Sequence, residues 1–183
     1  KRVGLVFQFP EYQIFEDTVL KDIMFGPKNF GVVNPEEKAR EIAEIFKITD
    51  LLERSPFTLS GGQLRKVAIC GILASDPDIL ILDEPSVGLD PSTKTELMEL
   101  LKRMNEEYHK TIIIITHDME VVSKYCERII VLKKGEKIYD GDKKELFQKE
   151  NLYQHYHQNY PETVSILRAM KKHFNVELDV NKH

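Results

Sequence analysis

The chain has 183 residues, enough for one domain with its own core. Its 42% hydrophobic and 31% charged residues describe an ordinary globular protein and exclude a disordered or fibrous one. The net charge of −4 gives no electrostatic case for nucleic-acid binding, and the longest aliphatic run, Ile112 to Ile115, is far short of the roughly 20 apolar residues of a membrane-spanning helix. Any link to a membrane is therefore expected to go through a partner.

The first part of the chain predicts one strand followed by a helical region. Val3 to Phe7 is a short apolar run typical of a buried strand. Because this run starts at once, without an initiator Met, we expect the natural protein to begin upstream. A helical pattern follows from residue 16 to 75, and Asn34 and Pro35 predict the start of a helix over about 36–46. Prolines are expected to break the pattern at Gly26-Pro27, Asn34-Pro35 and Ser55-Pro56.

The second part predicts strands that alternate with helices. Ile79 to Leu82 is a continuous aliphatic run of the kind that is covered on both faces, and Thr111 to Thr116 is expected to be a second buried strand. The remaining predicted elements are helices over 91–108 and 118–126, and strands over 128–132 and 137–139 around a Lys134-Gly135 turn. This alternation predicts an α/β fold with a parallel sheet, whose ligands bind beyond the carboxyl ends of the strands.

Two acids stand at such a strand end. Asp83 and Glu84 directly follow the Ile79 to Leu82 run. One carboxylate there can hold Mg²⁺, and a second can orient or deprotonate a water for attack on a phosphoryl group. Acids are also favoured in turns and at helix starts, so the pair alone is equally consistent with a capping role.

Two further segments carry candidate functional residues. His117 closes the second aliphatic run, and we expect it beside the two acids if the two strands are neighbours; it is otherwise an ordinary helix-start residue. Ser60, Gly61, Gly62 and Gln63 precede a helix through Ile69. Glycines and a serine at a helix N-terminus expose backbone N–H groups that form an anion site, although such loops are also common turns.

The combination and order of these segments resemble the ATPase subunits of ABC transporters. Leu59-Ser60-Gly61-Gly62-Gln63 is similar to the signature motif, Ile79 to Pro85 to the Walker B strand with its catalytic glutamate, and Ser86 to Asp90 to the D-loop. Thr116-His117-Asp118 matches the switch histidine, and Gln8 the Q-loop glutamine. The resemblance implies a P-loop NTPase-like α/β core with a helical subdomain.

A narrower resemblance is to the ATPases of energy-coupling-factor importers, which take up vitamins or transition-metal ions such as cobalt and nickel. It is carried by Gln8 to Phe15, by Phe25 to Asn29, and by a tail in which Pro161 leads into an amphipathic segment to Phe174. The resemblance implies a core over 1–10 and 76–148, a helical subdomain over 11–75 and a dimerising extension over 149–183.

The resemblance also implies ATP and Mg²⁺ as cofactors and a role for each site residue. Asp83 supports Mg²⁺ and Gln8 completes its shell; Glu84 is the general base, and His117 bonds the γ-phosphate. Ser60, Gly61, Gly62 and Gln63 face the nucleotide of a second ATPase subunit, and Asp90 acts across that interface. Integral-membrane transport subunits are the other implied partners, at the cytoplasmic face of the cell membrane.

The sequence departs from the family most clearly in lacking the lysine-bearing phosphate loop. No G-x-x-x-x-G-K-[ST] segment occurs, although that loop and its lysine cradle the β- and γ-phosphates. In the family a central sheet strand precedes this loop, so we expect that strand to be missing too. The chain alone is therefore predicted not to hydrolyse ATP, whereas a full-length subunit would.

Two other functions stay open at this stage. A soluble ABC ATPase that acts on DNA or ribosomes is disfavoured, because too few residues lie between Gln8 and Leu59 for a long coiled-coil insertion and there is no second cassette. A non-catalytic interaction module is the other. His155 and His157 fall short of a metal site. Cys70 and Cys126 are expected to be buried thiols, and Met98 and Met104 core residues.

Overall fold

The computed structural model describes residues 3–148 and divides after Ile115 into a first and a second compact unit. The strands are β1 (Val3–Val6), β2 (Ile79–Asp83), β3 (Thr111–Ile115), β4 (Arg128–Lys133) and β5 (Glu136–Asp142). The helices are α1 (Val19–Asn29), α2 (Pro35–Ile45), α3 (Gly61–Leu73), α4 (Pro91–Glu106), α5 (Met119–Tyr125) and α6 (Lys143–Gln148). The predicted tail segment with Pro161, and His155 and His157, lie outside the described residues.

The first unit is built on a parallel sheet with the strand order β1-β2-β3. Leu82 of β2 lies in register with Val6 on one side and with Ile114 on the other. Val6, Leu80 and Leu82 are almost fully buried. This confirms the predicted α/β fold with a parallel sheet, and the burial of Leu80 and Leu82 fixes which face of β2 belongs to the core.

The opposite face of this sheet is more exposed than the sequence predicts. Side chains alternate along a strand, and Ile113 and Ile115 of β3 share a face on which they are 44% and 53% exposed. The prediction that β3 is a second buried strand is therefore wrong. The prediction that β2 is covered on both faces is too strong, because Ile79 and Ile81 are only half-buried. Aliphatic composition predicted a strand but did not tell how many of its faces are covered by residues 3–148.

Three helices, α1, α2 and α3, form a helical region between β1 and β2. The core of this region contains fully buried apolar side chains from all three helices and the loops after them: Val19, Ile23, Ala39, Ala43, Phe46, Ile48, Val67 and Ile69. α2 begins at Pro35, as predicted, after Asn34 in a left-handed conformation. The Asn34 amide donates to Glu37 at 3.1 Å instead of capping the backbone.

The prediction that Gly26-Pro27 ends a helix is wrong, because α1 continues through Pro27 to Asn29. Pro27 lies in the last turn, so the N–H group it lacks leaves only one carbonyl of the turn before it without its usual donor. The next turn stays closed, since the Phe30 N–H donates to the Gly26 carbonyl at 3.0 Å. A proline this close to a helix end therefore costs little.

Asp22 of α1 anchors the loop that follows β1. It is buried, and its Oδ1 atom accepts the backbone N–H groups of Phe15 at 3.1 Å and Glu16 at 3.3 Å. Burial raises the pKa of the Asp22 carboxyl, and the two backbone hydrogen bonds oppose that rise. A single acid thus ties the loop that carries Gln8 to the helical region.

The start of α3 packs closely on the start of α4. A Cβ atom on Gly62 would stand 2.7 Å from the Cγ2 atom of Thr93, whereas a Cβ atom on Gly61 would meet no neighbouring heavy atom of residues 3–148 within 4 Å. Lower down, Lys66 and Glu96 form an ion pair of 2.7 Å between the two helices. Met98 and Met104 on α4 are fully buried, as predicted. The small size of Gly62 therefore sets the distance between α3 and α4.

The second unit contains the predicted hairpin of β4 and β5. Lys134 and Gly135 both have positive φ, the conformation that two-residue hairpin turns require. Asp140 accepts hydrogen bonds from Arg128 and Lys137, which lower its pKa to about 2.

The two cysteines are both free thiols, but only one of the two predictions of a buried thiol is confirmed. Cys70 is buried, whereas Cys126 is half-buried. Within residues 3–148, no helix has the length and apolar character needed to cross a bilayer.

Replacing Asp22 with Asn tests the buried carboxylate. The folded pKa of Asp22 lies above its unfolded value, so its charge costs stability at neutral pH and this cost disappears as pH falls through the raised pKa toward 3.8. We therefore expect Asp22→Asn to change the melting temperature more favourably at pH 7 than at pH 4, relative to wild type. Asp17→Asn, at a side chain that is 90% exposed, is the control and should show no such difference. An equal shift at both pH values for Asp22→Asn would contradict the assignment.

Replacing Gly62 with Ala tests the close approach of α3 and α4. We expect a loss of about 1 kcal/mol in the free energy of unfolding, because the new methyl group overlaps the Thr93 methyl group. Gly61→Ala should cause no loss, since its Cβ would stand in open space. Chemical denaturation measures both values. Thr93→Ser removes the opposing methyl group and should rescue Gly62→Ala; failure of this rescue would show that another contact is responsible.

Candidate functional site

The sheet brings three of the predicted site residues to one edge. β1 and β2 are parallel neighbours with Val6 paired to Leu82, so Gln8 and Glu84 each follow the paired positions by two residues at the carboxyl ends of their strands. Asp83 is the last residue of β2. All three residues are half-buried. The predicted gathering of Gln8, Asp83 and Glu84 is therefore a direct result of strand register.

Glu84 has an unusual backbone. Its φ is +46°, a left-handed conformation that residues other than Gly, Asn and Asp seldom adopt. Its N–H donates to the carbonyl of Ile115 at 2.8 Å, which extends the β2 to β3 ladder by one bond. Strained conformations of this kind are held only where the surroundings determine them, and they concentrate at functional sites. The regular strand β2 ends at Asp83, and the left-handed backbone of Glu84 begins the turn that follows.

The predicted signature loop forms the N-terminus of α3. The Ser60 Oγ atom accepts the Gln63 N–H at 3.3 Å, while the Gln63 side chain accepts the Ser60 N–H at 3.0 Å, a reciprocal capping box. Ser60 and Gly61 are exposed and Gly62 is half-buried. Helix geometry leaves the first N–H groups, at Gly61 and Gly62, without acceptors inside α3. The loop is thus pre-formed and presents donors outward, while Gln63 is used to hold its shape.

Asp90 caps the next helix. Its Oδ1 atom accepts the N–H groups of Ser92 at 3.0 Å and Thr93 at 3.1 Å at the start of α4. The Thr93 side-chain hydrogen bond, followed by these backbone bonds, lowers the pKa of the Asp90 carboxyl below its ordinary value. Asp90 is exposed and follows Gly88, whose φ is +75°. The D-loop aspartate therefore has a structural role in this chain besides the one that the resemblance implies.

His117 lies in the second unit, directly after β3. It is exposed and stands between Thr116 and Asp118, whose N–H donates to the Thr116 Oγ1 atom at 3.0 Å. Asp118 caps α5 by accepting the N–H groups of Glu120 and Val121. The predicted position of His117 beside Asp83 and Glu84 stays a prediction.

Arg65 is a residue of the site region that the sequence reasoning did not identify. It lies one turn into α3, is only 8% exposed, and donates to the backbone carbonyls of Gln8, Pro85 and Val87. The signal in the sequence was the spacing of Arg65, four residues before Ile69 and eight before Leu73, which places it on the same buried stripe of α3 as these two apolar residues. Buried arginines are held by several acceptors, and here the acceptors belong to the predicted motifs.

Comparison with known proteins places these features in a family. A family model described as "AAA domain, putative AbiEii toxin, Type IV TA system" matches residues 9–123. The energy-coupling factor transporter ATP-binding protein EcfA2 of a Bacillus cereus strain is 46% identical over 181 residues, which cover 97% of this chain and 62% of that protein. EcfA2 of a Ligilactobacillus salivarius strain is 49% identical over 166 residues, 89% of this chain and 57% of that protein. The chain thus spans about three fifths of the length of these curated relatives.

Two solved structures share the fold. One is cbiO1 from Clostridium perfringens, a part of the ABC transporter complex cbiONQ, with a TM-score of 0.75, 35% identity, and coverage of 91% of this chain and 67% of that chain. The other is the ATP-binding cassette MJ0796 in a dimeric post-hydrolysis state bound to ADP and Pi, with a TM-score of 0.67, 33% identity, and coverage of 78% and 63%. Taken with the motif residues and their placement, these similarities show that the chain belongs to the ATP-binding proteins of ABC transporters, in the group that includes the energy-coupling-factor ATPases.

Proposed function

We propose that the complete protein containing this chain is the ATP-hydrolysing subunit that energises an energy-coupling-factor importer for a vitamin or a transition-metal ion such as cobalt. The observation that carries the proposal is the exposed, capped N-terminus of α3, in the same unit as Gln8, Asp83 and Glu84. EcfA2 and cbiO1 are named as transporter components, which supports the transporter part of the proposal. The direction of transport and the class of solute come from the sequence resemblance. We also propose the division predicted from the sequence: a core over 1–10 and 76–148, a helical subdomain over 11–75 and a dimerising extension over 149–183.

The residues at the sheet edge fit Mg²⁺. This ion is usually held by one or two side-chain oxygens together with phosphate and water oxygens. Asp83 and Gln8 offer a carboxylate and an amide oxygen, and residues 3–148 contain no cluster of three or more His, Cys, Asp or Glu side chains that suits a metal held by protein alone. When bound with ATP, the ion would neutralise charge that develops on the transferred phosphoryl group.

The other residues act on the water and the phosphate. The Glu84 carboxylate would accept a proton from the attacking water. The amide of Gln8 would respond to the γ-phosphate, and the imidazole of His117 would donate a hydrogen bond to it. These roles are acid–base and electrostatic.

The signature loop would serve the nucleotide of a second ATPase subunit. The open space beside Gly61 leaves room for a phosphate group to approach the N–H groups at the start of α3. Ser60, Gly61 and Gly62 would contact that nucleotide, and Gln63 would keep the loop in shape through the capping box. Asp90, at the start of α4, would act across the same interface.

An exposed aromatic surface supports docking to integral-membrane transport subunits at the cytoplasmic face of the membrane. Tyr12 is 84% exposed, and Phe9, Phe15, Phe25 and Phe30 are each about half exposed. Phe15 and Phe25 stack edge to face with ring centroids 4.6 Å apart, so their orientation is already fixed. Clusters of exposed aromatic side chains mark interaction surfaces.

Gly61→Ala in the complete protein tests the proposed function. The substitution leaves the packing of residues 3–148 unchanged, so a loss of activity without a loss of stability reports on a molecule that approaches from outside. We expect at least a tenfold fall in the rate of ATP hydrolysis with an unchanged melting temperature, because the added methyl group obstructs the phosphate contact. Lys102→Ala, at an exposed position on α4, is the control. Wild-type activity in Gly61→Ala would argue against a role of this loop in hydrolysis.

A second prediction concerns residues 1–183 alone. They contain no lysine-bearing phosphate loop, so we expect no ATP hydrolysis above background from the purified chain, while the complete protein hydrolyses ATP. Phosphate release with Mg²⁺ measures both, and Glu84→Gln in the complete protein is the inactive control. Turnover by the chain alone would overturn this prediction, and an inactive complete protein would favour a non-catalytic interaction module.

A further inference from the structure

We infer that Arg65 is a positioning residue that couples the signature helix to the Gln8 loop and to the turn between Glu84 and Gly88. The inference rests on the proposed function, because it concerns the same ATP-hydrolysing site. Arg65 is not expected to touch the nucleotide. It is expected to act through the backbone of the segments that carry Gln8 and Glu84.

The contacts of Arg65 converge on two loops that are far apart in sequence. The Nη1 atom donates to the carbonyls of Pro85 at 2.7 Å and Val87 at 2.8 Å, and the Nη2 atom donates to the carbonyl of Gln8 at 3.0 Å. Pro85 and Val87 lie between Glu84 and Gly88, and Gln8 lies after β1. One side chain on α3 therefore bonds the backbone of the loop after β1 and the backbone of the turn after β2.

The shape of the guanidinium group suits this task. Its N–H groups point outward in a fixed planar fork, so a single group can bond carbonyls that lie in different directions. A lysine has a single nitrogen at the end of its side chain. It therefore cannot place one nitrogen at the Gln8 carbonyl and another at the Pro85 and Val87 carbonyls, as Arg65 does with Nη2 and Nη1. Because the bond to Pro85 is buried, loss of the guanidinium would also leave the Pro85 carbonyl without this donor away from water.

Arg65 lies on the same helix as the signature loop, so a movement of that loop could be passed on through the Arg65 hydrogen bonds. Ser60 and Gly61 form the exposed start of the same helix, five and four residues before Arg65. A shift of this helix when its N-terminus meets the second subunit's nucleotide would move the Arg65 guanidinium, and with it the Gln8 and Pro85 carbonyls. Binding of the α3 N-terminus to the second subunit's nucleotide would thereby change the positions of Glu84 and Gln8, which act on this chain's own nucleotide.

The test uses Arg65→Lys and Arg65→Met in the complete protein assembled with its partners, with ATP hydrolysis measured over a range of ATP concentrations. We expect kcat to fall about tenfold or more in Arg65→Met and less in Arg65→Lys, with KM within about twofold of wild type, because misplacement of catalytic groups lowers turnover more than ground-state binding. Lys66→Met is the matched control. It removes a half-buried cation from the same helix, but the Lys66 partner is Glu96 of α4 and not a loop carbonyl.

The outcomes separate this inference from the proposed function. A wild-type protein without ATP hydrolysis would overturn the proposed function and remove the basis of the inference. An active wild type with unchanged kcat in folded Arg65→Met would overturn the inference alone. An equal fall of kcat in Lys66→Met, or a fall in Arg65→Met that is only a rise in KM, would also overturn it, because the effect would then be a general disturbance of α3 or of binding. Hydrogen exchange at residues 8–15 and 85–90, faster in Arg65→Met than in Lys66→Met, is the expected structural readout.

Discussion

The pairing of β2 between β1 and β3 is the constraint on which the first unit depends. Leu80 and Leu82 are buried on one face of β2, and this burial fixes the register that places the residues after each strand at a common edge. A slip of one residue would turn Leu80 and Leu82 out of the core and move Asp83 to the wrong face. The placement of the proposed site residues at this edge therefore depends on aliphatic side chains that are given no role in the proposed chemistry.

Packing around α3 adds a second level of control. The helix presents its N-terminus outward, bonds two loops through Arg65 and approaches α4 closely at Gly62. Asp90 caps α4 beside this approach, so the D-loop and the signature loop share one region of contact. These residues are polar or small for structural reasons as well as for the proposed contacts with nucleotide. Substitutions among them are expected to change stability and activity together unless open space, as at Gly61, separates the two effects.

Much of this arrangement was predictable from the sequence, because strong local signals agree with the fold. The aliphatic runs predicted β2 and β3, the Lys134-Gly135 pair predicted the hairpin of β4 and β5, and Ser60 with Gln63 predicted the start of α3. Three features were not predictable for physical reasons. Coverage of both faces of β3 depends on what packs against it, Pro27 was tolerated because of its place in the last turn of α1, and the acceptors of Arg65 come from distant loops. Local patterns report backbone preference, whereas these features depend on tertiary neighbours.

The backbone of Glu84 shows what such dependence means for the molecule. Its left-handed conformation is held by the Ile115 carbonyl, which belongs to the last residue of β3. Fraying of that strand end would release the Glu84 amide and let the Glu84 carboxylate reorient. The main chain of Ile115 therefore contributes to the position of Glu84, although the Ile115 side chain does not. A search for residues that govern this site by side-chain identity alone would overlook Ile115, since any residue that keeps the strand end paired supplies the same carbonyl.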